Sequence, residues 1–324
     1  MKPPYEITAR ILELVAEVSE KIGAVSTSYL SAQSPQLRKQ NRIKTIFSSL
    51  GIEGNTLTEQ QITALMDNKR VIGPEKDIIE VQNAIEVYGK LHSFNPNKES
   101  HFLLAHKQLM RSLLSHPGKY RKQGVGIVKG KHVAHVAPPA SNVPFQMKAL
   151  FKYLKQNKEP ALIKSCVFHY ELEFIHPFID GNGRMGRLWQ TLILMQSYPV
   201  FEFLPFETLI SKTQQDYYAA LAKSDKAGKS TAFIEYMLQV ISASLDQLLD
   251  YKGLTVTAEN RIAYFLEKHK GSFSRKDYMM AFKEISTATA SRDLKKAVED
   301  KKILKTGRHN KTVYVKAQKL KKKN

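Results

Sequence analysis

Along the first half of the chain, apolar residues recur at three- and four-residue spacing, the period of a helix with one buried face. Ile7, Ile11, Val15, Val18 and Ile22 predict a helix over 6–22. After a polar link at 31–35, Leu37, Ile43, Ile46, Phe47 and Leu50 predict a second. Thr58 with Gln61 three residues on reads as a capping box opening a short helix. Ile78, Val81, Ala84, Ile85 and Tyr88 give 75–91 a broad apolar face. These helices, and one over 101–114, read as packing elements. At 120–137 the period shortens towards two: Val125, Ile127, Val133 and Val136 around Gly130 predict a β-hairpin over 124–136. Helical spacing returns at 144–156, is almost continuously apolar at 161–174, and resumes at 189–195, 206–221 and 232–249.

Beyond a linker at 250–256 the pattern changes to three short helices, at 259–269, 274–282 and 286–300, and two strands, at 303–305 and 312–315, around a turn at 307–311. Three helices and a hairpin make a winged helix-turn-helix, with Thr287, Thr289, Ser291 and Arg292 opening its recognition helix. The fold class is therefore mainly α, with a small β-hairpin and a C-terminal winged helix-turn-helix.

Charge sharpens that division. The net charge is +20 over 324 residues, and 251–324 alone hold 20 Lys or Arg against 7 Asp or Glu, an excess of 13. That excess favours DNA as the partner of the segment, bound in a salt-sensitive and non-specific way, with protein contact as the alternative. The Lys-rich end reads as a solvated tail. No run of about 18 apolar residues exists, so neither a membrane span nor membrane attachment is expected. The single cysteine, Cys166, has no disulfide partner and sits in an apolar stretch, which points to a small buried core residue and a cytoplasmic protein.

Candidate chemistry concentrates at 176–187, His-Pro-Phe-Ile-Asp-Gly-Asn-Gly-Arg-Met-Gly-Arg. His176 can accept a proton and Asp180 is a hard oxygen ligand for a cation. Gly181, Asn182 and Gly183 form a small-residue turn that exposes amides at the start of a helix, where anions bind. Arg184 and Arg187 lie three apart on one helix face, where like charges repel unless an anion lies between them. Polyphosphate fits. His101 and His106, five apart, point to different helix faces and read as structural histidines.

The stretch resembles the signature of the Fic family, His-Pro-Phe-x-(Asp or Glu)-Gly-Asn-Gly-Arg-x-x-Arg, at every constrained position. The resemblance implies a Fic-type helical core at 101–250, an N-terminal helical region at 1–100 and, as a separate domain, the winged helix at 251–324. It implies transfer of AMP from ATP to a Ser, Thr or Tyr hydroxyl of a protein, the chain itself included. His176 would be the base, Asp180 would hold Mg²⁺, Gly181, Asn182, Gly183 and Arg184 would bind phosphates, and Arg187 would take the γ-phosphate.

Ser49, Glu53 and Gly54 are similar to the family's inhibitory motif, (Ser or Thr)-x-x-x-Glu-(Gly or Asn), whose glutamate would pair with Arg187. The 124–136 hairpin resembles the family's flap, which aligns an extended target by strand pairing; a purely structural hairpin is the alternative. Tyr217 and Tyr218 resemble tyrosines near the adenine, although aromatic residues in an apolar helix are ordinarily core. Restraint by Glu53 within one chain or between the chains of a homodimer is equally compatible with the motif. Two other classes stay open: a DNA-binding regulator whose Fic-like core senses nucleotide, and an enzyme that removes AMP or moves another phosphate-containing group.

Overall fold

The structure, a computed structural model, describes residues 2–29, 35–129, 132–156, 158–255, 258–269, 271–282, 285–307 and 312–317. Residues 31–34 of the expected polar link, Gly130 of the first hairpin turn, Val256 of the expected linker, residues 308–311 of the second turn and the Lys-rich end lie outside the described residues. Helices α1 (Ala9–Tyr29), α2 (Pro35–Ile52), α3 (Glu59–Met66), α4 (Glu75–Gly89) and α5 (Glu99–Leu109) lead into a hairpin of β1 (Gly126–Lys129) and β2 (His132–Val136). Then come α6 (Val143–Gln156), α7 (Ala161–Ile175), α8 (Asn182–Ser197), α9 (Glu207–Lys212), α10 (Gln214–Ala227) and α11 (Thr231–Thr255). The last elements are α12 (Ala258–Lys268), α13 (Arg275–Ala281), α14 (Thr287–Glu299), β3 (Ile303–Thr306) and β4 (Val313–Lys316). The chain divides into two units, Met1–Ser31 with Gln40–Leu245, and Ala32–Lys39 with Asp246–Asn324.

In the first unit α7 and α8 form the centre. Of the 15 residues of α7, 11 are buried, as expected of a helix apolar all round. In α8 the burial extends to Arg184, Arg187 and Gln190, so polar groups enter the core with it. The two helices approach so closely at Gly186 that an added Cβ would lie 2.5 Å from His169 Cδ2. Phe102, Phe151, Phe168, Phe178 and Trp189 pack edge-on and stacked around this pair, with the Phe102 and Trp189 rings 5.0 Å apart. Cys166 is fully buried, and burial pushes its thiol up to about 12, as befits a core residue. β1 and β2 pair antiparallel from Gly126 opposite Val136 to Lys129 opposite His132, with an irregularity between Ile127 and Val128. No described helix is long and apolar enough to cross a membrane.

The second unit has its own core: Ile262, Phe265, Phe273, Tyr278, Leu294 and Ile303 are buried against one another. Arg261 reaches Asp293 with two hydrogen bonds, 2.7 and 2.9 Å, and Tyr278 donates to the same carboxylate. α13 opens with a capping box of Ser274 and Asp277, and Ser286 caps α14.

α1 runs to Tyr29 rather than 22 and α5 ends at Leu109 rather than 114, and two further expected elements differ. The apolar run 206–221 is broken into α9 and α10 at Thr213, whose hydroxyl bonds back to Leu209 O at 2.9 Å and also meets Tyr236 OH. A threonine that bonds its own backbone competes with helix continuation. The expected linker at 250–256 is instead helical as far as Thr255, since a lone Gly253 without proline does not stop a helix.

Candidate active site

His176 ends α7 in the left-handed region, φ 48° and ψ 59°, with its N–H still bonded to Leu172 O. A side chain there costs roughly 1 kcal/mol and persists only where neighbours over-determine it. The turn that follows is closed by Asn182: its amide donates to Phe178 O and accepts from Phe178 N–H, both at 2.9 Å. The asparagine expected to expose amides thus also spends its side chain locking the loop. Gly181, at φ 89°, leads into α8, and an added Cβ would sit 2.9 Å from Met110 Sδ. No side chain caps the α8 N-terminus, so its first amides and the positive end of its dipole are open to an anion.

Both arginines are buried and already paired. Arg184 Nη1 donates to Glu80 Oε1 at 2.9 Å and Nη2 to Asp180 Oδ1 at 2.8 Å. Burial would raise the Asp180 carboxyl, but the Arg184 charge and the Gly181 N–H outweigh it and hold the group below the usual carboxylate range. Arg187 Nη2 donates to Glu53 Oε1 at 2.7 Å and to Ser49 O at 2.9 Å, while Nε donates to Ser49 Oγ at 3.0 Å. Burial would lower the arginine, but the Glu53 carboxylate raises it further and keeps it charged. Gly54, at φ 93°, ends the α2 segment that delivers Ser49 and Glu53.

His176, Asp180, Gly181, Asn182, Gly183, Arg187 and Glu53 all line one cavity of about 540 Å³, with Tyr217 and Tyr218. Arg184 and Ser49 are not part of that lining but are bonded to Asp180 and Arg187, which are. The lining also includes apolar side chains, Phe174, Ile179, Leu221 and Ala222. Tyr217 is 2% exposed, its hydroxyl 3.1 Å from His169 Nε2 and 3.4 Å from Glu173 Oε1. Its ring is therefore anchored, whereas Tyr218 is the half-buried member of the pair. The residues fit a nucleoside polyphosphate: uncapped α8 amides, apolar side chains in the same lining, and Arg187 Nη1 buried without a hydrogen-bond partner. They also fit a cation held by one carboxylate and phosphate oxygens, because the described bonds of Asp180 fall on Oδ1.

Residues 96–194 match the Fic/DOC family model. A crystal structure of a Fic family protein from Desulfovibrio desulfuricans G20 is 40% identical, with full coverage of both chains and a TM-score of 0.76. The chain belongs to the Fic family. Two proteins named Protein adenylyltransferase Fic, from Nematostella vectensis and Drosophila mojavensis, are 28% and 24% identical over 74% and 75% of this chain. The chain spans only 57% and 49% of their lengths.

Three further buried residues bear on the site's arginines and loop, and nothing local in the sequence marks them as doing so. Glu80 comes from α4, read only as packing, and is the carboxylate that holds Arg184. His106, from α5, accepts Gly118 N–H at Nδ1, so its Nε2 carries the proton and donates to Asp180 O at 3.0 Å. Burial lowers His106 to about 4, and its ring stacks on Phe178 with centroids 3.5 Å apart. His101 accepts Asn95 N–H, so both histidines are structural as expected. Glu207 opens α9 fully buried, and burial outweighs the Arg187 charge to raise its carboxyl to about 8. A carboxylate at 53 could be anticipated from its motif; these three could be found only by knowing which helices meet.

Proposed function

We propose that this chain is a protein adenylyltransferase that transfers AMP from ATP to a Ser, Thr or Tyr hydroxyl of a protein and is restrained by Glu53. The reading is carried by one juxtaposition: His176, the uncapped α8 amides and the buried Arg187 line a single cavity together with apolar side chains. His176 would take the proton of the attacking hydroxyl, a role suited to an imidazole at neutral pH. The hydroxyl oxygen would bond the α-phosphorus as the bond to the bridging oxygen breaks, and pyrophosphate would leave with that electron pair. The α8 amides and Arg187 would stabilise the charge that builds on the phosphates. Asp180 would hold Mg²⁺, which would supply positive charge to the phosphates. Glu53 occupies the fork of Arg187 that a γ-phosphate would need, which is the basis for restraint. The names of the relatives from Nematostella and Drosophila favour the same activity.

The test is incubation with ATP labelled at the α- or the γ-phosphate, with Mg²⁺ present. Label from the α-phosphate should become protein-bound and be lost in His176→Ala. Retention of γ-label instead would mean a kinase-type transfer and refute the assignment.

A second reading concerns 251–324 alone. The excess of 13 basic residues, with three helices and a two-stranded hairpin, supports a winged helix-turn-helix that binds DNA.

A further inference from the structure

Arg121 is 3% exposed and makes a set of bonds unlike that of either site arginine. Its Nε donates to His176 O at 2.7 Å, Nη1 to Gln123 O at 2.9 Å, and Nη2 to Pro138 O at 2.6 Å and Ile175 O at 3.3 Å. Its own N–H donates to Pro177 O at 2.9 Å. Every acceptor is a main-chain carbonyl, and among the described residues no carboxylate pairs with this guanidinium.

A buried cation is costly unless its donors are satisfied, so a guanidinium placed here has a geometric use rather than an ionic one. Gln123 and Pro138 flank the β1–β2 hairpin at its two roots, just before Gly126 and just after Val136 with one or two residues between. Ile175, His176 and Pro177 are the end of α7 and the left-handed turn that aims the candidate base. One planar fork therefore fixes the separation of the hairpin roots and the carbonyl orientation that locks His176. An ammonium has three donors on one atom and cannot span these four carbonyls.

We propose that Arg121 is a positioning residue that couples the hairpin to His176, so that an acceptor segment aligned by the hairpin meets the base in register. The proposal rests on the transferase reading above. Arg121 does not itself line the cavity and meets His176 and Pro177 only through their main-chain carbonyls, so nucleotide binding should be spared while transfer suffers.

The experiment uses the full chain in a Glu53→Gly background, comparing Arg121→Lys and Arg121→Met with the parent. Three quantities are read: backbone hydrogen exchange at 123–138 and 175–178, equilibrium affinity for ATP, and the rate of protein labelling from α-labelled ATP. Expected are faster exchange in both segments together, ATP affinity within about threefold of the parent, and labelling slowed tenfold or more, a change of about 1.4 kcal/mol in the barrier. Arg121→Lys should recover folding stability, if Arg121→Met loses it, without recovering the rate. Unchanged exchange, ATP affinity falling in step with the rate, or full activity of Arg121→Lys would each overturn the coupling. A background protein that never labels would refute the transferase reading instead, and the exchange arm would still decide whether hairpin and turn move as one.

Discussion

Arg187 is fully buried, and its fork is divided between Ser49 and Glu53, so whatever displaces the glutamate must offer an anion of similar geometry. A phosphate oxygen does. The glutamate is the movable partner: its side chain keeps 29% of its exposure, against none for the arginine. Glu53→Gly lies beside Gly54 at a helix end, where added backbone freedom costs little. A charge-assisted hydrogen bond contributes about 1.5–3 kcal/mol, and about 1.4 kcal/mol already gives tenfold in rate. Labelling by Glu53→Gly should therefore rise at least tenfold, and Glu53→Gly with Arg187→Ala should lose most of that gain. A folded Glu53→Gly protein no faster than the parent would reduce this glutamate to a helix-end residue. At this scale the sequence was legible where a motif fixed the spacing, as for His176, Asp180 and the Glu53–Arg187 pair. It was silent on Glu80, His106 and Arg121, which reach the loop from residues 55 to 104 positions away. A lone charged residue in a helix or turn carries no mark of so distant a partner.

At the scale of elements the site depends on how closely α8 crosses α7. Gly186 makes that approach possible, and the atom it faces cannot yield: His169 is pinned at 2.7 Å by Gln190 and at 3.1 Å by Tyr217. Burial lowers His169 to about 3, so it is a neutral strut between the two helices and α10. Gly186→Ala should overpack the crossing at a cost of about 1–3 kcal/mol and lower the Tm by several degrees. Because Tyr217 is carried on the displaced strut, affinity for ATP should weaken in the same variant. An unshifted Tm would mean that the helices can part without cost. Periodicity predicted α7 within a few residues because its apolar run is dense, whereas for α8 it marked only 189–195 and the start was read from the turn before it. It missed the break at Thr213, where a hydroxyl bonding its own backbone overrides an apolar pattern that continues through it.

Over the whole molecule the charge is unevenly shared: residues 1–250 hold 30 basic against 23 acidic side chains, whereas 251–324 hold 20 against 7. Among the described residues, every buried member of the second unit's apolar cluster lies between Ile262 and Ile303. A fragment of residues 256–324 should accordingly unfold cooperatively, with a transition of its own. The same segment should carry the affinity of the full chain for duplex DNA, and a chain ending at residue 255 should lose it. Affinity carried by lysine and arginine on phosphates falls with salt through counterion release: four such contacts would cost about a hundredfold between about 50 and 200 mM salt. Titration of the full chain against one duplex at several salt concentrations reads that slope directly. A steep slope lost on truncation would support a DNA-directed module. No binding at the lowest salt, with the fragment folded, would make its basic surface a dock for an acidic protein instead.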